Sequence, residues 1–354
     1  MAKIGLLGAN GQVGAEVALY LGRTPGVELT CFTRSNYGSV LLRRAGLSCV
    51  EYDAGQPARM KEQFGSLDLV ADFTYPSVPL PAVAGAVASH SAAVLAAMRP
   101  GAGFAHMSSV MAFGMGDREK FVRDRWISRT GYAANKRVGE RAVARLARQH
   151  NIRLFSFRLG QVHGTLQSVT QALCHDLKWH EVFVDGEPGD ATIAVFASTV
   201  AQTVNACATG TVAPGLYSLV ASPQWSLETL FAYYSKRYSI DPVVRYRPTA
   251  PSSWQSAIRQ RVLRNVTASR GLIEAHLLRR SEWLRRRAKG WYLQTGPAGN
   301  RDGGGSENAT AQFHLLGAVP RLFTGPVDAT PDRVRTGDIA IEQFLQSLGI
   351  ADHV

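Results

Sequence analysis

The sequence lacks the features of a membrane-spanning, disulfide-built or metal-clustered protein. No apolar run reaches the ~20 residues needed to cross a bilayer, although 45% of the 354 residues are hydrophobic. Cysteine is scarce: Cys31, Cys49, Cys174 and Cys207 are scattered through mostly apolar stretches, with no CxxC pair. They read as reduced, buried thiols of a cytoplasmic protein. The first residues already form a strand and loop, leaving no room for a cleaved leader. No internal repeat is present. Cys174, His175 and His180 are near one another in sequence, but no second cluster supplies further ligands, so no metal site is expected. The strings Asn265-Val266-Thr267 and Asn308-Ala309-Thr310 match a glycosylation signal that a cytoplasmic protein does not use.

Acidic residues are also in short supply, with 27 Asp and Glu against 39 Lys and Arg, a net charge of +12. The excess is local, because Trp254–Trp291 carries ten Arg and Lys against two Glu. Nucleic acid is not an expected partner, since no recognised binding module accompanies this charge. Three readings of the segment remain open: a solvated helix face, capture of an anionic small molecule, or contact with an anionic membrane surface through a basic amphipathic helix bearing Trp283 and Trp291.

What is present is concentrated at the start. The apolar run Lys3–Leu7 leads into Gly8-Ala9-Asn10-Gly11-Gln12-Val13-Gly14, and a helical pattern through Val17, Ala18 and Leu21 follows. Strand, tight turn and helix in that order make a dinucleotide-binding loop. Gly8 suits the turn, Gly11 lets a pyrophosphate approach the backbone, and Gly14 lets helix and strand pack closely. The N–H groups of the first helical turn, from Gln12 and Val13 onward, face the phosphates, with Asn10 beside them.

Val27–Thr33 alternates as a second strand and ends on Arg34. A carboxylate at this place accepts hydrogen bonds from the ribose of NAD, whereas an arginine meets the 2′-phosphate of NADP. NADP is therefore the expected cofactor, with NAD the alternative. Leu47–Tyr52 ends in Asp53-Ala54, placed to cover the adenine. Leu67–Thr74 reads as the fourth strand, with Phe73 and Thr74 toward the cofactor. Pro79–Ala97 reads as a helix and Phe104–Met107 as a fifth strand. This βαβ alternation implies an α/β fold, a Rossmann-type doubly wound parallel sheet whose ligands bind beyond the carboxyl ends of the strands.

The fifth strand runs into Ser108-Ser109, and a later helix opens with Tyr132-Ala133-Ala134-Asn135-Lys136. Tyr132 and Lys136, four apart, share a helix face and reach one ligand. A free phenol has a pKa near ~10, and a neighbouring ammonium brings it toward the working range. Ser109 is placed to donate to a substrate oxygen and Lys136 to hold the nicotinamide ribose.

With these pieces in place the chain resembles the extended short-chain dehydrogenase/reductase family, in its NAD-dependent epimerase/dehydratase branch. The matching residues are Gly8, Gly11 and Gly14, Asp53, Ser109 to Gly114, Tyr132-x-x-x-Lys136, and Phe157-Arg158-Leu159-Gly160-Gln161-Val162-His163-Gly164. The last segment is similar to the family's Arg-Pro-x-Asn-Val-Tyr-Gly run, which implies that Leu159 and Val162 line the nicotinamide. Thr192–Val204 is a weaker match. The resemblance spans about residues 1–235 and implies an enzyme with Ser109, Tyr132 and Lys136 as catalytic residues. It departs at Val110-Met111-Ala112, where dehydratases of the family carry Thr-Asp-Glu, so a dehydratase is disfavoured. Leu159, His163 and Ala197-Ser198 also differ from the family pattern and bear on the substrate rather than the cofactor.

The expected organisation is a nucleotide-binding domain at 1–165, with 190–222 returning to it, and a smaller, mostly helical substrate lobe at 166–189 and 223–354. That lobe includes a pocket loop at Lys178–Val184, a helix start at Ser226, a mobile glycine-rich loop at 295–312 and a closing helix at Thr336–Leu348. The expected function is NADP-dependent reduction of a ketone, or oxidation of a secondary alcohol, on a sugar-nucleotide-like or other anionic small molecule. One alternative is an NAD-dependent sugar-nucleotide epimerase working through a keto intermediate. A second is a non-catalytic NADP-binding sensor or scaffold, a class that typically loses the Tyr/Lys pair retained here. The family implies a homodimer through the Tyr132 helix. Arg137, Arg141, Arg145 and Arg148 make that helix unusually basic, which leaves a monomer as the alternative.

Overall fold

The structure is a computed structural model in which residues 1–35, 37–76, 78, 80–113, 132–178, 181–247, 325 and 327–350 are described. The expectations for the basic segment 254–291, the glycine-rich stretch 295–312, Gly114 and His180 concern residues outside these.

Seven parallel strands form the central sheet: β1 (Ala2–Leu7), β2 (Val27–Thr33), β3 (Ser48–Glu51), β4 (Leu69–Asp72), β5 (Gly103–Ser109), β6 (Arg153–Leu159) and β10 (Gly215–Leu219). Their order is β10-β6-β5-β4-β1-β2-β3. All six neighbouring pairs run parallel. The helices between them are α1 (Gln12–Leu21), α2 (Val40–Arg44), α3 (Pro57–Phe64), α4 (Leu80–Ala97) and α5 (Tyr132–Gln149). Interior strands of such a sheet are covered on both faces, which explains why Leu69-Val70-Ala71 is apolar without alternation.

The pleat divides the strands between two cores. Ile4, Leu6, Ala105, Met107, Phe155 and Phe157 pack against Val17 and Leu21 of α1, with Val200 and Val204 of α7 (Ala197–Ala208). Leu7, Phe32, Val70 and Phe104 turn to the other face, against Phe64, Leu95 and Val143. A third core lies in the second half of the chain. It joins α6 (Ser168–Leu177), β8 (Glu181–Asp185), β9 (Ala194–Phe196) and α8 (Leu227–Arg237) around Trp225 and Tyr234. Ser226 caps α8, its Oγ accepting from the Thr229 N–H at 3.1 Å.

Two elements differ from the sequence reading. Lys178–Val184 is not a loop throughout, since β8 pairs in parallel with β11 (Val243–Arg247). The alternation Glu-Val-Phe-Val-Asp accounts for it, with Val182 and Val184 buried in the third core. The last helix, α9 (Pro331–Ser347), begins five residues before Thr336, with proline in its first turn where a missing N–H costs nothing. Among the described residues, no helix is long and apolar enough to cross a membrane. The four cysteines are free thiols.

Short β7 (Gln161–His163) pairs with β9 and leads into a turn held by a carboxylate of α1. Fully buried Glu16 accepts hydrogen bonds from Thr165 N at 2.7 Å, Leu166 N at 3.0 Å and Gln167 Nε2 at 2.7 Å. A second buried cluster ties down α9. Asp338 accepts from Tyr20 of α1 and from Tyr233 of α8, and pairs with Arg237, which also reaches Glu342.

Burial, with a smaller push from Asp338, raises the Glu16 carboxyl from 4.5 to about 7 despite its donors. Below about pH 4.5 the group is protonated in both folded and unfolded chains. Between that pH and about 7, only the unfolded chain releases the proton. Glu16 therefore makes stability fall as pH rises through this window, by on the order of 3 kcal/mol in total. Urea denaturation at intervals from pH 4.5 to 8 is expected to show this decline, and Glu16→Gln to flatten it; an unchanged slope in the variant would refute the assignment.

Candidate active site

Connections leave β1 toward β2 on one side and reach β4 on the other, so the topological switch falls between β1 and β4. Ligands of doubly wound sheets bind beyond the strand ends at such a point. The glycines meet there. Gly8 has a φ of +71°, and a Cβ on it would stand 3.0 Å from the backbone of Phe73 and Thr74. At Gly14 a Cβ would come within 2.2 Å of the Gly8 carbonyl oxygen. Gly11 donates to that same oxygen at 2.9 Å and precedes α1, whose start no side chain caps. The first-turn N–H groups are thus offered to an external anion.

Beside this loop opens a cleft of about 250 Å³, lined by Gly8, Asn10, Gly11, Phe32, Arg34, Tyr52, Phe73, Thr74, Tyr75, Pro76, Ala86 and His90. It supplies what a dinucleotide needs: a side-chain-free stretch for the pyrophosphate, aromatic and apolar walls for a base, and the cation of Arg34. Asp53 stands next to this lining with its carboxylate turned onto Gly55 N at 2.8 Å and Gln56 Nε2 at 3.3 Å, and Ala54 follows it. Gln12 and Val13 lie in the first turn of α1. Leu159 is buried in the first core and Val162 packs against it. Tyr52, His90 and Tyr75 face the cleft but were not singled out by sequence. Each follows or lies between motif positions and carries no spacing signal of its own.

Ser109, the last residue of β5, and Tyr132, the first of α5, come together, the serine hydroxyl hydrogen-bonding the phenol. Burial raises the Tyr132 phenol above its ordinary range, and the bond to Ser109 works against that rise. Lys136 Nζ donates to the Met107 carbonyl at 3.1 Å and lies 5.1 Å from the Tyr75 ring centroid and 5.7 Å from that of Tyr132. The two tyrosine rings are 5.6 Å apart. Burial lowers the Lys136 ammonium below its usual range, while the carboxylates of Asp72 and Glu140 oppose the shift. After Ser109 the chain makes a 3-10 turn, Val110–Phe113, in which Val110 and Ala112 are buried and offer no acid or base.

Buried ion pairs hold this corner. Glu140 accepts two hydrogen bonds from Arg158 at 2.7 Å each and one from Ser108 Oγ at 2.6 Å. This fastens α5 to β5 and β6 and sets the height of Tyr132 and Lys136 above the sheet. Asp72, at the end of β4, accepts from Thr74 N at 2.9 Å and Thr74 Oγ1 at 2.6 Å. His106 sits opposite it on β5, pushed down to about 4 by burial and so neutral. His163, also neutral with its pKa pushed down to about 3 by burial, packs on Phe196 and Tyr234 rather than in the cleft.

Residues 4–179 match the family model of the NAD dependent epimerase/dehydratase family. This segment of the chain belongs to that family. Its architecture is that of the extended short-chain dehydrogenase/reductases, enzymes built on a nicotinamide-dinucleotide fold. Among solved structures it is similar to UDP-N-acetylglucosamine 4-epimerase from Bacillus cereus, at 11% identity and a TM-score of 0.53 over 70% of this chain and 86% of that one. UDP-glucuronic acid 4-epimerase from Bacillus cereus, in complex with UDP-glucuronic acid and NAD, gives 12% identity and a TM-score of 0.50 over 70% and 87%. UDP-glucose 4-epimerase from Thermotoga maritima gives 17% identity and a TM-score of 0.50 over 70% and 86%. At these identities the likeness is one of fold. No curated protein matches the chain in sequence.

Removing one member of a buried ion pair leaves the other charge without compensation, at about 3–5 kcal/mol. Glu140→Ala is therefore expected to lower stability by that amount in chemical denaturation at neutral pH. Glu140→Ala combined with Arg158→Met should recover most of the loss, and a double variant no more stable than the single would refute the pairing.

Proposed function

We propose that this protein is an NADP-dependent oxidoreductase that reduces a ketone, or oxidises the matching secondary alcohol, on an anionic small molecule such as a nucleotide-linked sugar. The observation that carries the reading is the meeting of Ser109, Tyr132 and Lys136 beside Tyr75, a residue of the glycine-lined cleft. The cofactor expected there is NADP, held by Gly8, Asn10, Gly11, Gln12, Val13, Gly14, Phe73 and Thr74 around the dinucleotide. Arg34 is the residue for the 2′-phosphate, because it lines the cleft at the end of β2 where a carboxylate would select NAD. Bound NADPH would supply a hydride to the carbonyl carbon.

The residues of the chain handle the oxygen. Tyr132 gives its phenolic proton to the carbonyl oxygen, and Ser109 donates a hydrogen bond to the same atom. Lys136 lies close enough to favour the phenolate left behind, and its ammonium is itself sustained by Asp72 and Glu140. Without a ligand, burial holds the Tyr132 phenol above its ordinary range, so it carries the proton that reduction transfers. The nonpolar turn after Ser109 gives no group for eliminating water. A second reading, supported by the fold shared with UDP-sugar 4-epimerases, is an NAD-dependent epimerase that uses the same three residues on a keto intermediate.

Two measurements separate these readings. Nucleotide released from the purified protein by gentle denaturation is identified by absorbance and mass: retained NAD supports the epimerase, whereas an empty protein preferring NADPH to NADH supports the reductase. Arg34→Ala is expected to weaken NADPH about ten- to a hundredfold while leaving NADH nearly unchanged; equal effects on both would overturn the 2′-phosphate contact. Tyr132→Phe should lower turnover of any ketone accepted by the wild type by about 10²–10⁴-fold while cofactor binding persists. Turnover left intact would end the catalytic assignment.

A further inference from the structure

The cleft holds a second basic side chain besides Arg34. His90, on the inner face of α4, lines it together with Tyr52, Phe73 and Ala86. Its Nε2 lies 3.8 Å from Asp72 Oδ1, with His90 18% and Asp72 3% exposed in their side chains. The Tyr52 ring stands edge-on to it at 6.1 Å between centroids. Asp72 is already turned toward the loop by the two hydrogen bonds from Thr74, so the carboxylate is fixed and His90 answers it.

We propose that His90, held as a cation by Asp72, is a specificity-determining residue of the dinucleotide cleft and makes cofactor affinity fall as the imidazole loses its proton. This inference rests on the dinucleotide reading of the cleft. Every titratable or charged group facing the ring fits into the account. Burial works against the charged imidazole, Asp72 on β4 outweighs it and raises the pKa above the ordinary value, and Arg34 beyond β2 lowers it somewhat. Asp72 in turn stays ionised: burial would raise it, but the imidazole of His90 and the hydrogen bond from Thr74 hold it below the usual carboxylate range. His106 on β5 is neutral and adds no competing charge. Tyr52, beyond β3, is pushed up to about 12 by burial and by Asp72 and stays a neutral phenol through the relevant range.

With His90 protonated, the lining of the cleft presents two cations, Arg34 and His90, to a polyanionic ligand, with Asp72 buried beside the imidazole; with His90 neutral, Arg34 is the one cation left in the lining. A unit charge lost several ångströms from a pyrophosphate in a half-buried cleft weakens binding about five- to tenfold. The sign is set: affinity is high at pH 6 and falls as pH rises through the titration of His90. By reciprocity, a bound dinucleotide must raise the pKa of His90 by the same free energy.

The test uses NADH first, because it has no 2′-phosphate to titrate in this range, and then NADPH. Dissociation constants are measured by fluorescence from pH 6 to pH 9 for the wild type and for His90→Gln. The wild type is expected to lose about five- to tenfold in affinity, and His90→Gln to be flat at the weaker, high-pH value. A slope that survives in His90→Gln, or a flat wild type, overturns the role of His90 while leaving the cleft a dinucleotide site. Failure of both NADH and NADPH to bind at any pH overturns the dinucleotide reading and this inference with it. Should His90→Gln not fold, the imidazole is followed by NMR in the wild type with and without saturating NADH. An upward shift of its titration supports the proposal, and an unmoved titration rejects it.

Discussion

The carbonyl of Gly8 and the first turn of α1 approach so closely that the space between them admits a hydrogen atom and nothing larger. Much else in the molecule follows from that approach. It brings α1 down onto β1, so that Val17 and Leu21 complete the first core and Glu16 reaches the turn after β7. It also presses Gly8 against the Phe73–Thr74 backbone, which joins the ends of β1 and β4 into one rim. The cleft exists because the backbone at this rim has no side chains to fill it. A methyl group at Gly14 would push helix and strand apart and widen every one of these contacts at once.

Four buried carboxylates each have a different task. Glu140 is tied into a two-point contact with Arg158 and fixes the helix that bears Tyr132 and Lys136. Glu16 takes three N–H donors and closes a loop, yet burial keeps its proton on until about neutrality. Asp338 draws two tyrosines and an arginine around the last helix. Asp72 lies buried beside His90 of the cleft lining and sustains the ammonium of Lys136. These differences arise from the count of donors and neighbouring cations, since all four groups are removed from water to a similar degree.

The motif positions were legible because each is forced by backbone geometry or by helical spacing. Gly8, with its positive φ, and Gly14, whose Cβ would strike the Gly8 carbonyl, cannot be other residues without strain or a clash, and Tyr132 and Lys136 announce themselves by falling four apart at a helix start. The doubly wound sheet was legible for a related reason, since fully buried parallel strands must be short apolar runs separated by helices. Tyr52, Tyr75 and His90 were not legible. They meet only when β3, β4 and α4 are brought together, and nothing in their own neighbourhoods marks them. Strand β8 was misread as a loop because its partner, β11, comes almost sixty residues later, and a lone five-residue alternation carries little weight before its partner is known. Val162 and Leu159, marked through a family segment, sit in or against a core, a matter of which way the strand turns after Arg158.

The docking of α9 has a consequence for how the chain is made. Leu19 and Tyr20, near the end of the first helix, are covered by Ile341 and Leu345 and by the carboxylate of Asp338. During synthesis the ribosome delivers these partners long after α1, Asp338 following Tyr20 by 318 residues. The nucleotide loop and its helix therefore emerge with one apolar flank uncovered, and it stays so until α9 follows. A nascent chain arrested before Pro331 would display that flank beside an otherwise assembled sheet, a surface of the kind that chaperones recognise.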